Sequence, residues 1–255
     1  MTLGMIPKKI HYCWYGQGKM NDTLQKCIAS WHEKLPEYEI IKWDETNTPF
    51  HKFPFLKLLY KQKKWSFITD YVRLYSIYTQ GGIYLDTDIE ILKDFGALLN
   101  EKAFVGFQTN LEDSIYPINS AVIGSEKGNS FVLDCLKETE KKQRLQFNAM
   151  GGPPIVSKVL IENYGLDTYK EQLLNGVKLL PTSYFYPFSW EETYTKDCIK
   201  PETICIHWWQ DSWKNKKKGF KYILDSFNRK LQKTPVMLKD KLHYLLDKKS
   251  FFYIQ

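Results

Sequence analysis

The sequence contains no long apolar run, few cysteines and no secretion signal. No segment approaches the roughly 18 consecutive apolar residues of a membrane span, and no apolar stretch follows the basic residues near the start. We therefore expect neither a transmembrane anchor nor a cleaved signal peptide. The five cysteines form no C-x-x-C pair, which argues against a disulfide framework or a zinc knuckle. A reducing compartment fits best, and we expect a cytoplasmic protein.

Internal repeats and low-complexity tracts are absent too. The 255 residues are 43% hydrophobic and 25% charged, as in an ordinary globular protein. The net charge of +7 suggests nucleic acid, an anionic membrane or a phosphorylated ligand, but it is unevenly distributed. Residues 214–255 hold twelve Lys and Arg against three Asp, whereas residues 1–213 hold 24 against 26 acidic residues. We therefore divide the chain into a catalytic region, 1–213, and a basic tail, 214–255.

The basic tail has the pattern of an amphipathic helix. Phe220, Leu224, Phe227 and Leu231 recur at helical spacing among lysines. Such helices bind anionic membranes, which predicts a peripheral location on the inner face of the plasma membrane. An equally good interpretation is that the apolar stripe packs on the catalytic region or on a second subunit.

Strands and helices alternate along the catalytic region. This order predicts an α/β domain in which parallel strands present ligands at their carboxyl ends. The predicted strands are 9–14, 38–43, 83–85, 103–107, 117–123, 177–180 and 203–208, and the predicted helices are 22–31, 53–63, 66–80, 130–141 and 153–163.

Two acids follow one short apolar strand. Asp86 and Asp88 come directly after Ile83-Tyr84-Leu85, and their carboxylates converge if the chain turns there. A converging pair is a hard oxygen site suited to Mg²⁺ or Mn²⁺. A D-x-D tripeptide is common by chance, so its position after a strand carries the prediction.

Asp70 and Arg73 lie three residues apart on the preceding helix, and therefore on one face. On the residues alone, a solvated ion pair is the favoured interpretation. The other interpretation is a polar pair in a sugar site, with Asp70 accepting from hydroxyls and Arg73 reaching hydroxyl or phosphate oxygens.

Four ordered motifs together resemble the signature of glycosyltransferase family 32. They are residues 6–14 (IPKKIHYCW), 65–75 (WSFITDYVRLY), 81–88 (GGIYLDTD) and 207–213 (HWWQDSW). That family includes the yeast outer-chain mannosyltransferase and bacterial capsule and O-antigen sugar transferases. The spacing of D-x-x-R and D-x-D is also similar to that of the clostridial glucosylating toxins.

The resemblance implies a GT-A fold, with a Rossmann-like mixed sheet, and a retaining transfer from a nucleotide sugar. It implies that Asp88 binds the divalent ion directly, while Asp86 reaches the ribose or sugar and the water shell of the metal. His207 occupies the place of a late metal ligand, and imidazole favours Mn²⁺ over Mg²⁺. A satisfied core histidine is the alternative for this residue.

The resemblance also implies a donor pocket. Trp14 would stack on the nucleobase, and Trp65 would contribute to the same pocket. Ser212 and Trp213 would close over the donor phosphates as a lid. Core packing is the alternative for the first two residues.

Two polar segments are candidates for the acceptor side. Asn119 comes after a strand, and Gly152 precedes two prolines at the start of a helix, where backbone amides are available to hydroxyls or anions. Ordinary turns explain both segments equally well.

We therefore predict a retaining, metal-dependent hexosyltransferase that uses a UDP-sugar and a glycan or lipid-linked oligosaccharide acceptor in surface polysaccharide synthesis. An effector-like transferase that modifies a protein side chain would have the same site residues. A nucleic-acid-binding module lacks any recognisable motif here, and nucleic acid is not an expected partner. A haloacid-dehalogenase phosphatase also carries a D-x-D after a strand, but it prefers Thr or Val two residues after the second Asp, where this chain has Glu90. We therefore do not expect a phosphatase.

Overall fold

The computed structural model describes residues 6–145 and 151–210. These residues form a mixed α/β structure. Its strands are β1 (Lys9–Cys13), β2 (Glu39–Trp43), β3 (Gly82–Leu85), β4 (Ile89–Ile91), β5 (Ala103–Phe107), β6 (Ile118–Ser125), β7 (Gln172–Leu174), β8 (Val177–Leu180) and β9 (Cys205–His207). Its α-helices are α1 (Asp22–Lys34), α2 (Pro54–Lys61), α3 (Trp65–Gln80), α4 (Ser130–Leu145), α5 (Pro153–Tyr164) and α6 (Thr182–Phe185). Gly96–Asn100 and Lys196–Cys198 form short 3₁₀ helices.

Seven strands form one mixed sheet in the order β2-β1-β3-β6-β5-β8-β7. Strand β1 is parallel to both β2 and β3, as the alternation of elements predicts. Strand β6 instead runs antiparallel to β3 and β5. The reversal brings the first residues of β6 to the edge where β1 and β3 end, so both kinds of strand supply side chains to that edge.

A separate two-stranded sheet joins distant parts of the chain. Strands β4 and β9 are antiparallel, and Ile89 lies opposite His207. The indole of Trp31 in α1 donates to the carbonyl of Ile89 at 2.7 Å, which ties this small sheet to the first helix. The late segment that contains His207 is thereby held beside the D-x-D turn.

Helix boundaries follow local chemistry. The side chain of Asn21 caps α1 by accepting from the amide of Leu24 at 3.0 Å. Helix α3 ends where Gly81 has a φ of 68°, in the left-handed region that favours glycine. The next residue, Gly82, starts β3 so close to β1 that an added Cβ would lie 2.7 Å from the Lys9 carbonyl oxygen.

Two apolar clusters pack against the main sheet. One contains residues of α3, α4 and α5, and the other contains residues of α1, β4, β9 and α6. Strands β3, β5 and β6 are buried along their whole length. In the described ranges, no helix has the length and apolar character that crossing a bilayer requires. The predicted tail helix, together with Ser212 and Trp213, lies outside the described residues.

Candidate active site

The D-x-D acids occupy a turn directly after β3. The amide of Asp86 donates to the carbonyl of Ala121 in β6 at 2.9 Å, and the amide of Ile89 donates back to the carbonyl of Asp86 at 3.1 Å. Because the strand breaks into a turn, the two carboxylates converge. One ligand atom each of Asp86, Asp88 and His207 lies within 4.8 Å of the others.

His207 is buried and faces Asp88. Its Nε2 atom lies 3.2 Å from Oδ2 of Asp88, and the ring of Trp209 covers it at a centroid distance of 4.1 Å. Burial by itself lowers the pKa of His207, but the charge of Asp88 and the hydrogen bond to it outweigh burial and raise that pKa. In the same way burial raises the pKa of Asp88, and the nearby imidazole lowers it overall.

Backbone groups after β9 fix the Asp88 carboxylate. The amide of Trp208 donates to the carbonyl of Asp88 at 3.0 Å, and the amide of Gln210 donates to its Oδ2 atom at 2.7 Å. The indole of Trp208 donates to Glu90 at 2.8 Å. The late segment therefore both supplies the imidazole and orients the acid.

Arg73 is buried at the centre of the site. One guanidinium nitrogen, Nη1, donates to the carbonyl and the hydroxyl of Ser120 at 2.7 and 2.8 Å. The other, Nη2, lies 3.0 Å from Asp70 and 3.5 Å from Asp86. The guanidinium also lies over the ring of Tyr84, whose hydroxyl donates to Asp86 at 2.8 Å. The solvated ion pair favoured by the residues alone is wrong, because α3 buries this face against the sheet.

Asp70 is enclosed by the start of α5. A Cβ added to Gly151 would lie 1.7 Å from its Oδ2 atom, and one added to Gly152 would lie 3.1 Å from Oδ1. Burial raises the pKa of Asp70 to about 6, with Arg73 opposing and Asp86 reinforcing the shift. The predicted segment at Gly152 is thus part of the site. Its amides are few, since Pro153 and Pro154 carry no N–H.

Of the two tryptophans predicted for the donor pocket, Trp14 lies in the loop after β1 and Trp65 packs against that loop. The indole of Trp14 donates to the carbonyl of Gly18 at 2.7 Å. Trp65, in the first turn of α3, packs so closely on Gly16 that an added Cβ would lie 3.0 Å from its ring. Both rings are partly exposed, so each has surface left for a ligand.

Asn119 lies at the start of β6 with its side chain engaged by the protein. Its Nδ2 group donates to Gln108 at 2.8 Å, and its Oδ1 atom accepts from the amide of Ala121 at 2.7 Å. The residue is buried. The structure therefore places Asn119 beside Ser120 at the site edge, where it orders the backbone that Asp86 hydrogen-bonds.

Sequence reasoning gave no individual role to several residues of this cluster. Tyr84, Gly151 and Trp209 contact Asp86, Asp70 and His207 respectively. Tyr84 reads as an ordinary apolar strand residue, and Trp209 as one of several aromatic residues after β9. The signal for both residues is that Tyr84 lies inside the motif 81–88 and Trp209 inside the motif 207–213.

The donor set fits a divalent cation. Two carboxylates and one imidazole converge, and Nδ1 of His207 is buried without a hydrogen-bond partner among residues 6–145 and 151–210. Such a mixed oxygen and nitrogen set suits Mn²⁺ and accommodates Mg²⁺ less well. Asp86, Asp88 and His207 are therefore the residues that could hold a metal ion.

Two family models match the chain in succession. Residues 21–105 match a model described as "Glycosyltransferase sugar-binding region containing DXD motif". Residues 124–229 match one described as "Alpha 1,4-glycosyltransferase conserved region". Both are glycosyltransferase regions, which confirms the predicted enzyme class.

Curated relatives agree with these matches. Lactosylceramide 4-alpha-galactosyltransferase of Rattus norvegicus is 28% identical over 153 residues, which are 56% of this chain and 40% of that protein. Inositol phosphoceramide mannosyltransferase 3 of Schizosaccharomyces pombe is 30% identical over 139 residues, which are 52% of this chain and 36% of that protein. The match thus spans less than half the length of either relative.

A solved structure supports the fold. The PaToxG glycosyltransferase superposes with a TM-score of 0.52 at 20% identity, covering 64% of this chain and 72% of that one. This likeness and the mixed seven-stranded sheet confirm the predicted GT-A fold.

Proposed function

We propose that this GT-A glycosyltransferase transfers a hexose, with retention of configuration, from a UDP-sugar to a glycan on a lipid carrier. One observation carries the proposal. Asp86, Asp88 and His207 converge beside the buried Asp70–Arg73 pair, at the edge of the sheet where β1 and β3 end. This edge is where open α/β sheets bind their ligands.

Asp88 and His207 would hold a divalent ion directly, with Asp86 beside them, and Mn²⁺ is the ion that their ligand atoms favour. When bound, the ion supplies positive charge that stabilises the leaving diphosphate. The amide of Gln210 and the ring of Trp209 keep Asp88 and His207 in place before substrate arrives.

Asp70 would accept hydrogen bonds from hydroxyls of the transferred sugar. Its carboxylate is confined by Gly151, Gly152 and Arg73, so its position is fixed before binding. Arg73 uses both terminal nitrogens on protein oxygens. We therefore give Arg73 the role of orienting Asp70 and Asp86, in place of the direct contact with hydroxyl or phosphate oxygens considered from its position on the helix.

The chemical step we propose is a front-face displacement without a covalent enzyme intermediate. The bond from the sugar carbon to the diphosphate oxygen breaks while the acceptor oxygen bonds to that carbon. The proton of the acceptor hydroxyl passes to an oxygen of the departing diphosphate. Retaining glycosidases instead place two carboxyl groups about 5–5.5 Å apart and use one as a nucleophile. Here Asp70 is ion-paired with Arg73, and Asp86 is ion-paired with Arg73 and accepts a hydrogen bond from Tyr84. We therefore assign neither carboxylate the role of a nucleophile.

At the donor end, Trp14 would stack on the nucleobase and Trp65 would border the same pocket. Ser212 and Trp213, in our proposal, close over the phosphates. At the acceptor end, Gly152 would lie beside Asp70 where the acceptor binds, and Asn119 would hold the β6 backbone behind it.

The acceptor proposal rests on what the relatives are named for. Lactosylceramide and inositol phosphoceramide, in the names of two relatives, are both lipids with a polar head. We propose a lipid-linked glycan of surface polysaccharide synthesis for this chain. A cytoplasmic location, with the basic tail on the inner face of the plasma membrane, belongs to the same proposal.

A hydrolysis screen tests the proposed function. The full chain is incubated with a panel of nucleotide sugars, with Mn²⁺, with Mg²⁺ or with EDTA, and release of the nucleotide diphosphate is measured. We expect hydrolysis of one or a few UDP-sugars, faster with Mn²⁺ than with Mg²⁺ and absent with EDTA. Equal hydrolysis in EDTA would contradict metal dependence, and a preference for GDP-sugars would contradict the donor.

A further inference from the structure

Helix α2 presents a distinct outer face. Leu56 and Leu59 are buried, whereas Pro54, Lys57, Leu58 and Lys61 are exposed. The exposed positions are spaced by three, one and three residues, so they lie along one side of the helix. We call these four residues the α2 outer face.

The segment that holds this face carries one sign of charge, and Glu45, which precedes it, is engaged by the Gly16 amide and by Tyr60. Residues 46–69 contain five lysines and no acidic residue. Four of these lysines, Lys52, Lys57, Lys61 and Lys63, are exposed. None of the four forms an ion pair with another residue that the structure describes. Their charge is therefore available to an external partner.

Apolar side chains are interleaved with these lysines. Leu58 is 37% exposed, and among the large apolar residues that the structure describes only Leu173 and Trp190 are more exposed. Phe53 and Phe55 are half-buried and pack on Tyr71 of α3 at centroid distances of 5.0 Å. The segment is thus anchored to the domain by its aromatic rings, while Leu58 keeps more than a third of its surface exposed.

We propose that the α2 outer face, with Lys52 and Lys63, docks on an anionic membrane. Lysine ammonium groups suit anionic lipid headgroups, and an outward Leu58 suits the acyl boundary below them. Binding to nucleic acid would use the lysines but would leave Leu58 without a partner of its own chemistry. Aromatic stacking, which single-stranded nucleic acid requires, is not available on this face, because the rings pack inward.

The α2 outer face lies next in the chain to one side of the predicted donor pocket. Helix α2 leads into α3, whose first residue, Trp65, lies against Gly16 in the loop that also holds Trp14. Docking through α2 would hold the loop of Trp14 and Gly16 close to the lipid surface. The proposal does not depend on the donor chemistry, since binding to vesicles is measured without nucleotide sugar.

A labelled variant tests the proposal directly. Leu58→Cys is made in a Cys198→Ser background, since the other four cysteines are buried, and carries an environment-sensitive fluorophore. Vesicles of phosphatidylserine and phosphatidylcholine should shift its emission to the blue, and pure phosphatidylcholine should not. No shift on either vesicle, or a shift with a single-stranded oligonucleotide alone, would overturn the proposal.

Charge reversal gives a second, independent readout in the otherwise unmodified chain. Lys57→Glu/Lys61→Glu should weaken binding to anionic vesicles by about tenfold or more. Lys26→Glu/Lys170→Glu, an equal charge change at exposed lysines elsewhere, is the matched control and should lose clearly less. Equal losses in the two variants would contradict a docking face at α2. Unchanged melting temperatures establish that both variants are folded.

Discussion

The ionisation of Asp70 opposes folding of this protein. Its carboxyl group is enclosed by Gly151 and Gly152, and burial is the largest cause of a pKa raised to about 6. Arg73 offsets part of this cost, and the charge of Asp86 adds to it. A carboxylate held at such a cost is typical of a functional site, where stability is given up for a positioned charge.

Replacing Asp70 should therefore stabilise the protein in a pH-dependent way. An unfolded Asp titrates near 3.9, so the wild-type chain loses stability as the pH rises from about 4 to above 6, by at most about 3 kcal/mol. Asp70→Asn removes this loss, and its gain should be full at pH 8 and fade below pH 4. Urea unfolding in EDTA across this range measures it.

A charge control and an activity measurement distinguish the effect of Asp70 from a general effect of net charge. Asp113→Asn removes a negative charge at an exposed position and controls for net charge. The same Asp70→Asn variant should transfer sugar at least about a hundredfold more slowly, since the hydrogen bonds to the sugar are charge-assisted. A variant less stable than wild type at pH 8 would mean that the ion pair with Arg73 outweighs burial.

Among the elements, the start of α5 is the one whose backbone packs directly against a site carboxylate, that of Asp70. The backbone at Gly151 leaves no room for a side chain, because Asp70 occupies the position of a Cβ. Gly151→Ala should displace Asp70 and lower sugar transfer by more than about tenfold, in line with the effect of a misplaced catalytic group. Steady-state transfer assays measure this.

Gly96→Ala is the matched control for the Gly151 variant. Gly96 has a φ of 51°, and an added Cβ there would meet nothing within 4 Å. It should lower stability by about 1 kcal/mol through backbone strain and leave transfer unchanged. Equal activity in the two variants would mean that Asp70 adapts, contrary to the positioning role.

Most elements could be predicted from the sequence, while their pairing could not. The predicted strands and helices correspond to β1–β3, β5, β6, β8 and β9 and to α1–α5. The elements β4, β7 and α6 were missed, and α6 is a single turn that is too short to show helical periodicity. The pairing of β4 with β9 joins residues more than a hundred positions apart, and only tertiary packing decides it.

The candidate site was predicted to a similar extent. Asp86, Asp88 and His207 were identified by their motifs, and the structure brings them together. The burial of Arg73 was not predictable from an i,i+3 spacing, since a solvated pair has the same spacing. The steric role of Gly151 depends on a contact between α3 and α5 that the local sequence does not encode.

At the scale of the whole molecule, the excess of positive over negative charge is confined to two segments. The tail carries a net charge of +9, and residues 46–69 carry five lysines. The rest of the catalytic region has 19 basic against 26 acidic residues, although the proposed donor is an anion. An acidic region that binds a diphosphate needs a cation at the site, which is why the account depends on the metal.

The most direct measurement is therefore Mn²⁺ binding, with donor hydrolysis in parallel, for wild type and Asp88→Asn. Electron paramagnetic resonance of free Mn²⁺ gives the affinity, and Asp113→Asn serves as the control. Mutating a residue that only hydrogen-bonds to a metal ligand weakens metal binding by roughly tenfold to hundredfold. We predict that Asp88→Asn, which changes a ligand itself, weakens Mn²⁺ binding by at least this much and abolishes hydrolysis. Wild-type Mn²⁺ affinity and hydrolysis in a folded Asp88→Asn protein would contradict the proposed metal-dependent transfer.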